Sequence, residues 1–274
     1  MWTTLPRYKT SNNIAYYKIG NGPVLFMIHG VGLKLECWTA QLKFLSKKYT
    51  IIAIDLPGHG YSSNLSIKPI NLNSYVQQIK LFTDEVIETP FLIIGHSLGA
   101  LISIIYAHDY PKNCTGIVAL NCIYQRSLKS INEIKLRYKK LASKKMEQEI
   151  NITIDRWFGK NPNSYYLKLA NICRQWLYDS NKQGYLEAYN IFANQTGVSE
   201  QILKKINIPI AFITGSFDLN STPLMSRDMA NLCNKGVSKE IIGAGHMAQM
   251  SHSKEVNETI SLFVSANKLM NEIE

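Results

Sequence analysis

Phe91-Leu92-Ile93-Ile94-Gly95-His96-Ser97-Leu98-Gly99 is the stretch that decides the reading of this chain. Its unbroken apolar start reads as a strand buried on both faces, and the apolar pattern over 98–108 reads as a helix. Between them Gly95 and Gly99 stand two residues either side of Ser97. That is the composition of a sharp strand-to-helix turn, which lifts a serine hydroxyl clear of the sheet. The helix start adds unpaired amide donors and a positive dipole end, both suited to a developing oxyanion.

Working outward, further apolar runs at Val24–Ile28, Thr50–Ile54, 116–120, 210–214 and 239–242 read as strands. Helical patterns lie between them and again over 256–268. The alternation predicts an α/β fold with a mostly parallel, doubly wound sheet. Segments around Tyr8 and 13–19 read as an antiparallel hairpin leading into it. The alternation stops between about 124 and 206, where Lys-rich and aromatic-rich helical patterns run without a buried strand. This is too long for a simple connection. It predicts a helical cap at 124–206 inserted into a core made of 1–123 and 207–274.

An unassisted serine is a poor nucleophile at neutral pH; it needs a base, and the base needs an orienting acid. Ile213-Thr214-Gly215-Ser216-Phe217-Asp218 ends one strand on a carboxylate, and Gly243-Ala244-Gly245-His246 follows another with an imidazole. His29-Gly30-Val31-Gly32 follows the strand Val24–Ile28, and Asp55-Leu56-Pro57-Gly58-His59-Gly60-Tyr61-Ser62 follows Thr50–Ile54.

On these motifs, from about residue 20 to 263, the chain resembles the α/β-hydrolase family. The resemblance implies the α/β-hydrolase fold, a triad of Ser97, Asp218 and His246, and an oxyanion hole made by the backbone amides of Val31 and Leu98. Some relatives carry the acid one strand earlier, where this chain reads Asn121-Cys122-Ile123, which leaves Asp218 for that role. Relatives that dehalogenate alkyl halides or open epoxides use a carboxylate at the nucleophile position, and Ser97 sets both activities aside.

The expected chemistry is acyl transfer through an acyl-enzyme on Ser97, with no metal or organic cofactor called for. The core pattern, Arg156-Trp157-Phe158 and His246-Met247 resemble enol-lactonases and small carboxylesterases, so the expected substrate is a small ester or lactone. The same triad would serve a C–C bond hydrolase or a cofactor-free perhydrolase. A ligand-binding protein on a hydrolase fold is the non-enzyme alternative. Trp157, Phe158, Trp176, Phe217 and Met247, together with Met250 and Phe192, are candidates for an apolar substrate pocket; ordinary core packing is the alternative for each.

Composition bounds the rest. A chain of 274 residues with 46% hydrophobic positions can bury a full core. No apolar run approaches the roughly 18 residues of a membrane span, so no stable membrane insertion is expected. The five cysteines are scattered without a CxxC pair, against a disulfide framework or a zinc site. The net charge of +10 is spread along the chain without a nucleic-acid-binding motif, and no nucleic-acid partner is expected. The first residues lack the basic start and apolar stretch of a secretory signal, so the expectation is a cytoplasmic enzyme, monomer or homodimer.

Overall fold

A computed structural model describes residues 2–143, 146–160 and 162–271. The strands are β1 (Tyr8–Lys9), β2 (Ala15–Ile19), β3 (Val24–Ile28), β4 (Thr50–Ile54), β5 (Phe91–His96), β6 (Cys114–Leu120), β7 (Ile210–Gly215) and β8 (Gly236–Ile241). They form one sheet in the order β1-β2-β4-β3-β5-β6-β7-β8. The β1–β2 and β2–β4 pairs are antiparallel, and all pairs from β4 to β8 are parallel.

The continuous apolar runs are explained by what lies on each face. Every residue of β4, β5 and β7 is buried. Along β3, Leu25 and Met27 enter one hydrophobic cluster while Phe26 and Ile28 enter the other, as the two-residue period of a strand requires. Each such side chain contributes about 1.5–3 kcal/mol by leaving water. The run at 239–242 behaves differently: β8 starts earlier, at Gly236, and Val237, Ser238 and Lys239 are exposed. It is the last strand of the sheet, paired on one side only, which is where polar residues are tolerated.

Helices α1 (Thr39–Leu45), α2 (Leu72–Val86) and α3 (Leu98–Asp109) connect the first strands. Between β6 and β7 come α4 (Leu128–Ala142), α5 (Met146–Phe158), α6 (Ser164–Tyr178), α7 (Lys182–Ala193) and α8 (Glu200–Lys205). The side chains of Ser127, Asn163 and Asn181 accept from the amides of Ser130, Tyr166 and Gly184, capping the starts of α4, α6 and α7. The short α8 packs on α3, and also on α9 (Pro223–Leu232). The chain ends with α10 (Ala248–Ser251) and α11 (Ser253–Asn271). Among the described residues no helix is long and apolar enough to cross a membrane.

The cap meets the sheet at close quarters. A Cβ on Gly184 of α7 would lie 2.1 Å from the carbonyl oxygen of Gly58, and Gly58 itself has φ +75°. A Cβ on Gly32, at φ +74°, would lie 2.4 Å from Leu177 of α6 and 2.8 Å from Tyr185 of α7. Helices α6 and α7 thus rest directly on the loops that follow β3 and β4. In strand order the chain leaves β3 for β4 on one side and returns to β5 on the other. The carboxyl ends of β3 and β5 therefore flank the switch point, where open α/β sheets bind ligands.

Candidate active site

Ser97 sits between β5 and α3 at φ 56° and ψ −114°, a backbone conformation that L residues rarely adopt. Such strain costs on the order of 1–3 kcal/mol and persists where its surroundings enforce it. The surroundings here are glycines. A Cβ on Gly95 would lie 2.2 Å from the oxygen of Gly99, and one on Gly99 would lie 2.3 Å from the oxygen of Ile28. The Ser97 amide donates to Leu120 O at 2.9 Å, tying the turn to the end of β6. Its hydroxyl has no hydrogen-bond partner among the described residues and faces the cavity under the cap.

The loop after β8 brings His246 into the same cavity, and the loop after β7 brings Asp218 behind it. His246 Nδ1 donates to Asp218 Oδ2 at 2.7 Å, with both side chains buried. Asn121 Nδ2 donates to the same oxygen at 2.7 Å, and the amides of Asn220 and Ser221 donate to Oδ1 at 2.8 and 3.2 Å. Burial works to raise the Asp218 carboxyl, but the attraction of His246 and these hydrogen bonds outweigh it and hold the group below the usual carboxylate range. The carboxylate therefore stays ionised and fixes the proton of His246 on Nδ1. The Asp179 and Asp228 carboxylates are exposed.

Three further histidines hold the frame, His59 through a 3.1 Å bond from Nδ1 to Pro57 O. His29 Nε2 accepts from the Leu56 amide at 2.9 Å, so Nδ1 carries the proton and donates to Gly30 O at 2.7 Å. This pins the loop that carries Val31. His96 Nε2 donates to His246 O at 2.9 Å. Burial pushes His96 down to about 3 and His59 down to about 4, and it holds His29 well below its ordinary value. All three are neutral braces. The amides of Val31 and Leu98 donate to no other group among the described residues, and Val31 and Ser97 line the cavity together.

The cavity is narrow, with a volume of about 30 Å³. Its walls include Leu33, Ile134, Thr153, Arg156, Trp157, Tyr185, Tyr189 and Phe192. Of the aromatic and methionine candidates, Trp157 lies in it, stacked on His246 with ring centroids 6.0 Å apart, and so does Phe192. The others lie elsewhere. Phe158 and the exposed Phe217 line an outer depression that shares Arg156 and Trp157 with the cavity. Met247 is fully buried in the core beside Met250, and Trp176 packs edge-on against Trp2 beneath the Lys34 ammonium. Period and composition do not separate a pocket wall from a core layer, because both are apolar.

In the sequence Asn121 reads only as the place where a carboxylate is missing; in the structure it holds the Asp218 carboxylate. It follows β6 directly and adopts φ 49°, which asparagine tolerates better than most side chains. Its position at a strand end beside the serine turn was the available signal. Arg156 was visible only as the neighbour of Trp157.

A family model described as the alpha/beta hydrolase fold matches residues 23–151. The (E)-2-((N-methylformamido)methylene)succinate hydrolase of Acinetobacter baylyi is 30% identical over 257 residues, covering 91% of this chain and 93% of the relative. A monoacylglycerol lipase of Bos taurus is 24% identical over 233 residues, 77% of this chain and 67% of the lipase. Among solved structures, a thermophilic esterase from Thermogutta terrifontis superposes with a TM-score of 0.85 at 18% identity, covering 96% of this chain and 99% of the esterase. The enol-lactonase from Burkholderia xenovorans LB400 gives 0.80 at 20% identity, covering 95% and 100%. At that identity the two structures speak to the fold, and the Acinetobacter relative speaks to descent. With its strand order and full-length likeness to a hydrolase, this chain belongs to the α/β-hydrolase family.

Proposed function

We propose that this protein is a serine hydrolase that cleaves a small ester or lactone through an acyl-enzyme on Ser97. The observation that carries the reading is the buried 2.7 Å contact from His246 to Asp218 beside a strained serine whose hydroxyl faces the same cavity. With Nδ1 committed to Asp218, Nε2 of His246 is left free to accept the Ser97 proton. Attack on the substrate carbonyl places negative charge on its oxygen, which the amides of Val31 and Leu98 receive. His246 then returns the proton to the leaving group, and water, activated by the same imidazole, releases the acid. Among the described residues Ser97 and His246 make no hydrogen bond to each other, and catalytic contacts of this kind commonly tighten only in the substrate complex.

The aromatic walls of Tyr185, Tyr189, Phe192 and Trp157 support a short acyl group. A second reading, cleavage of an acylated nitrogen, is favoured by the formamido group in the name of the Acinetobacter relative's substrate. The test is hydrolysis of p-nitrophenyl esters of graded acyl length by wild type and Ser97→Ala, with fluorophosphonate labelling in parallel. Turnover of the shorter esters and labelling, both abolished in the variant, is the expected result. A wild-type protein that neither turns over nor labels would sink the reading and bring the ligand-binding alternative forward.

A further inference from the structure

The site holds a cation that nothing among the described residues neutralises. Arg156 projects from α5 into the cavity that contains Ser97 and His246. Its Nε and Nη1 are sealed from solvent, and neither has a hydrogen-bond partner. A guanidinium cannot shed its proton to escape this, so buried donors left without acceptors are a standing cost to the fold. Among the described residues lining the cavity there is no Asp or Glu. Asp218 is spent on His246, Glu149 faces Lys140 at 3.5 Å, and Asp155 is exposed and borders only the outer depression.

A second guanidinium stands behind the wall. Arg126 is buried and stacks on the Phe192 ring, with its Cζ 4.0 Å from the ring centroid. Its Nη1 donates to Phe192 O and Gln195 O, while Nε and Nη2 have no partner. Burial lowers this group to about 10, which leaves it charged. The apolar pocket is therefore biased positive by two residues. An anion inside it would supply the missing acceptors to Arg156 and feel the field of both.

We propose that Arg156 is a specificity residue that holds a free carboxylate of the substrate, so that the site selects acidic esters, lactones or amides over neutral ones. The proposal rests on the serine-hydrolase reading for its chemistry, but the carboxylate site itself does not depend on turnover. When the anion docks, its oxygens accept from Nε and Nη1, and the electrophilic carbonyl is held between Ser97 and the oxyanion amides.

The test pairs two esters matched in chain length, mono-p-nitrophenyl glutarate and p-nitrophenyl valerate, each corrected for spontaneous hydrolysis. Wild type is expected to prefer the glutarate in kcat/KM. Arg156→Gln should cut that preference by about 100-fold, and Arg156→Lys, which keeps the charge, should retain it to within about tenfold. In parallel, calorimetry follows free glutarate binding to wild type and Arg156→Gln, with thermal melts confirming that both are folded. Binding to wild type that is lost in the variant is expected. A wild type without preference for the acidic ester, or a variant that weakens both esters equally, overturns the proposal while leaving the serine hydrolase intact. Absence of turnover in wild type instead removes the hydrolase reading, and glutarate binding then decides the carboxylate site alone: loss in Arg156→Gln upholds it, and no binding overturns it.

Discussion

Asp55 and Asp218 are both buried carboxylates just past the end of a sheet strand, and both accept two backbone amides. Asp55 takes Leu35 and Tyr61 at 2.8 and 3.0 Å; Asp218 takes Asn220 and Ser221. Their remaining partners differ in kind. Asp55 faces Arg7, whose Nε is 3.0 Å away and which also binds Glu36 at 2.8 Å. One permanent cation is shared by two acids, so Arg7 holds Glu36 low while burial lifts Asp55. Asp218 faces a titratable imidazole that opens on a cavity. A carboxylate beside a fixed cation fastens the N-terminal segment to the sheet; a carboxylate beside a group that can gain and lose a proton can take part in turnover. The same local architecture carries either role, and the partner decides which.

Replacing the acid on the cavity side has the largest expected effect. Asp218→Asn leaves the shape but no longer dictates the His246 tautomer, so kcat should fall by about 10⁴-fold with the melting transition largely preserved. Steady-state kinetics beside a denaturant melt checks both halves; an active variant would break the comparison. On the other side, Arg7→Met strands Glu36 and Asp55 in the interior. It should cost about 3–5 kcal/mol of stability while the folded fraction keeps its kcat. Equal losses of activity and stability would show that the two carboxylates are not separate in role.

Acid sharpens the comparison through the histidines on each side, His29 and His59 near Asp55 and His96 near Asp218. All three are neutral when folded, with His59 at about 4 and His96 at about 3. The unfolded chain protonates near 6.5, so their contribution is complete above that pH and is lost as pH falls from 6.5 towards 4. Each removes about 1.4 kcal/mol per pH unit across that window. The contribution of Asp218 persists lower, since its depressed group releases its stabilisation only as pH falls below 3.8. Denaturant midpoints between pH 7 and 4.5 should decline, and His59→Gln should flatten the slope. The smallest effect belongs to Asn121→Ala, which removes one donor from Asp218 and should lower kcat about tenfold, or about 1.4 kcal/mol.

Much of this was legible in the sequence. The serine turn announced itself because Gly95 and Gly99 are demanded by contacts too short for any Cβ, and such demands leave a local signature. The strands showed as apolar runs because both faces are covered. Edge strand β8 was misplaced by a few residues because its exposed face carries no apolar pattern. The supports of Asp218 were not legible, because Asn121 and Ser221 act through folding that brings β6 and β7 side by side. The wall of the cavity was legible only in Trp157 and Phe192; Tyr185 and Tyr189 face it from a helix whose apolar spacing also fits packing.

The contact between Gly58 and Gly184 gives the molecule a conditional modularity. Because the two parts touch backbone to backbone, the joint constrains very little sequence and yet admits no side chain at its centre. A helical insertion from another family member could be transplanted over this sheet and would seat if it brought glycine to that place. One that brought alanine would stand off from the core and open the chemistry beneath it to water.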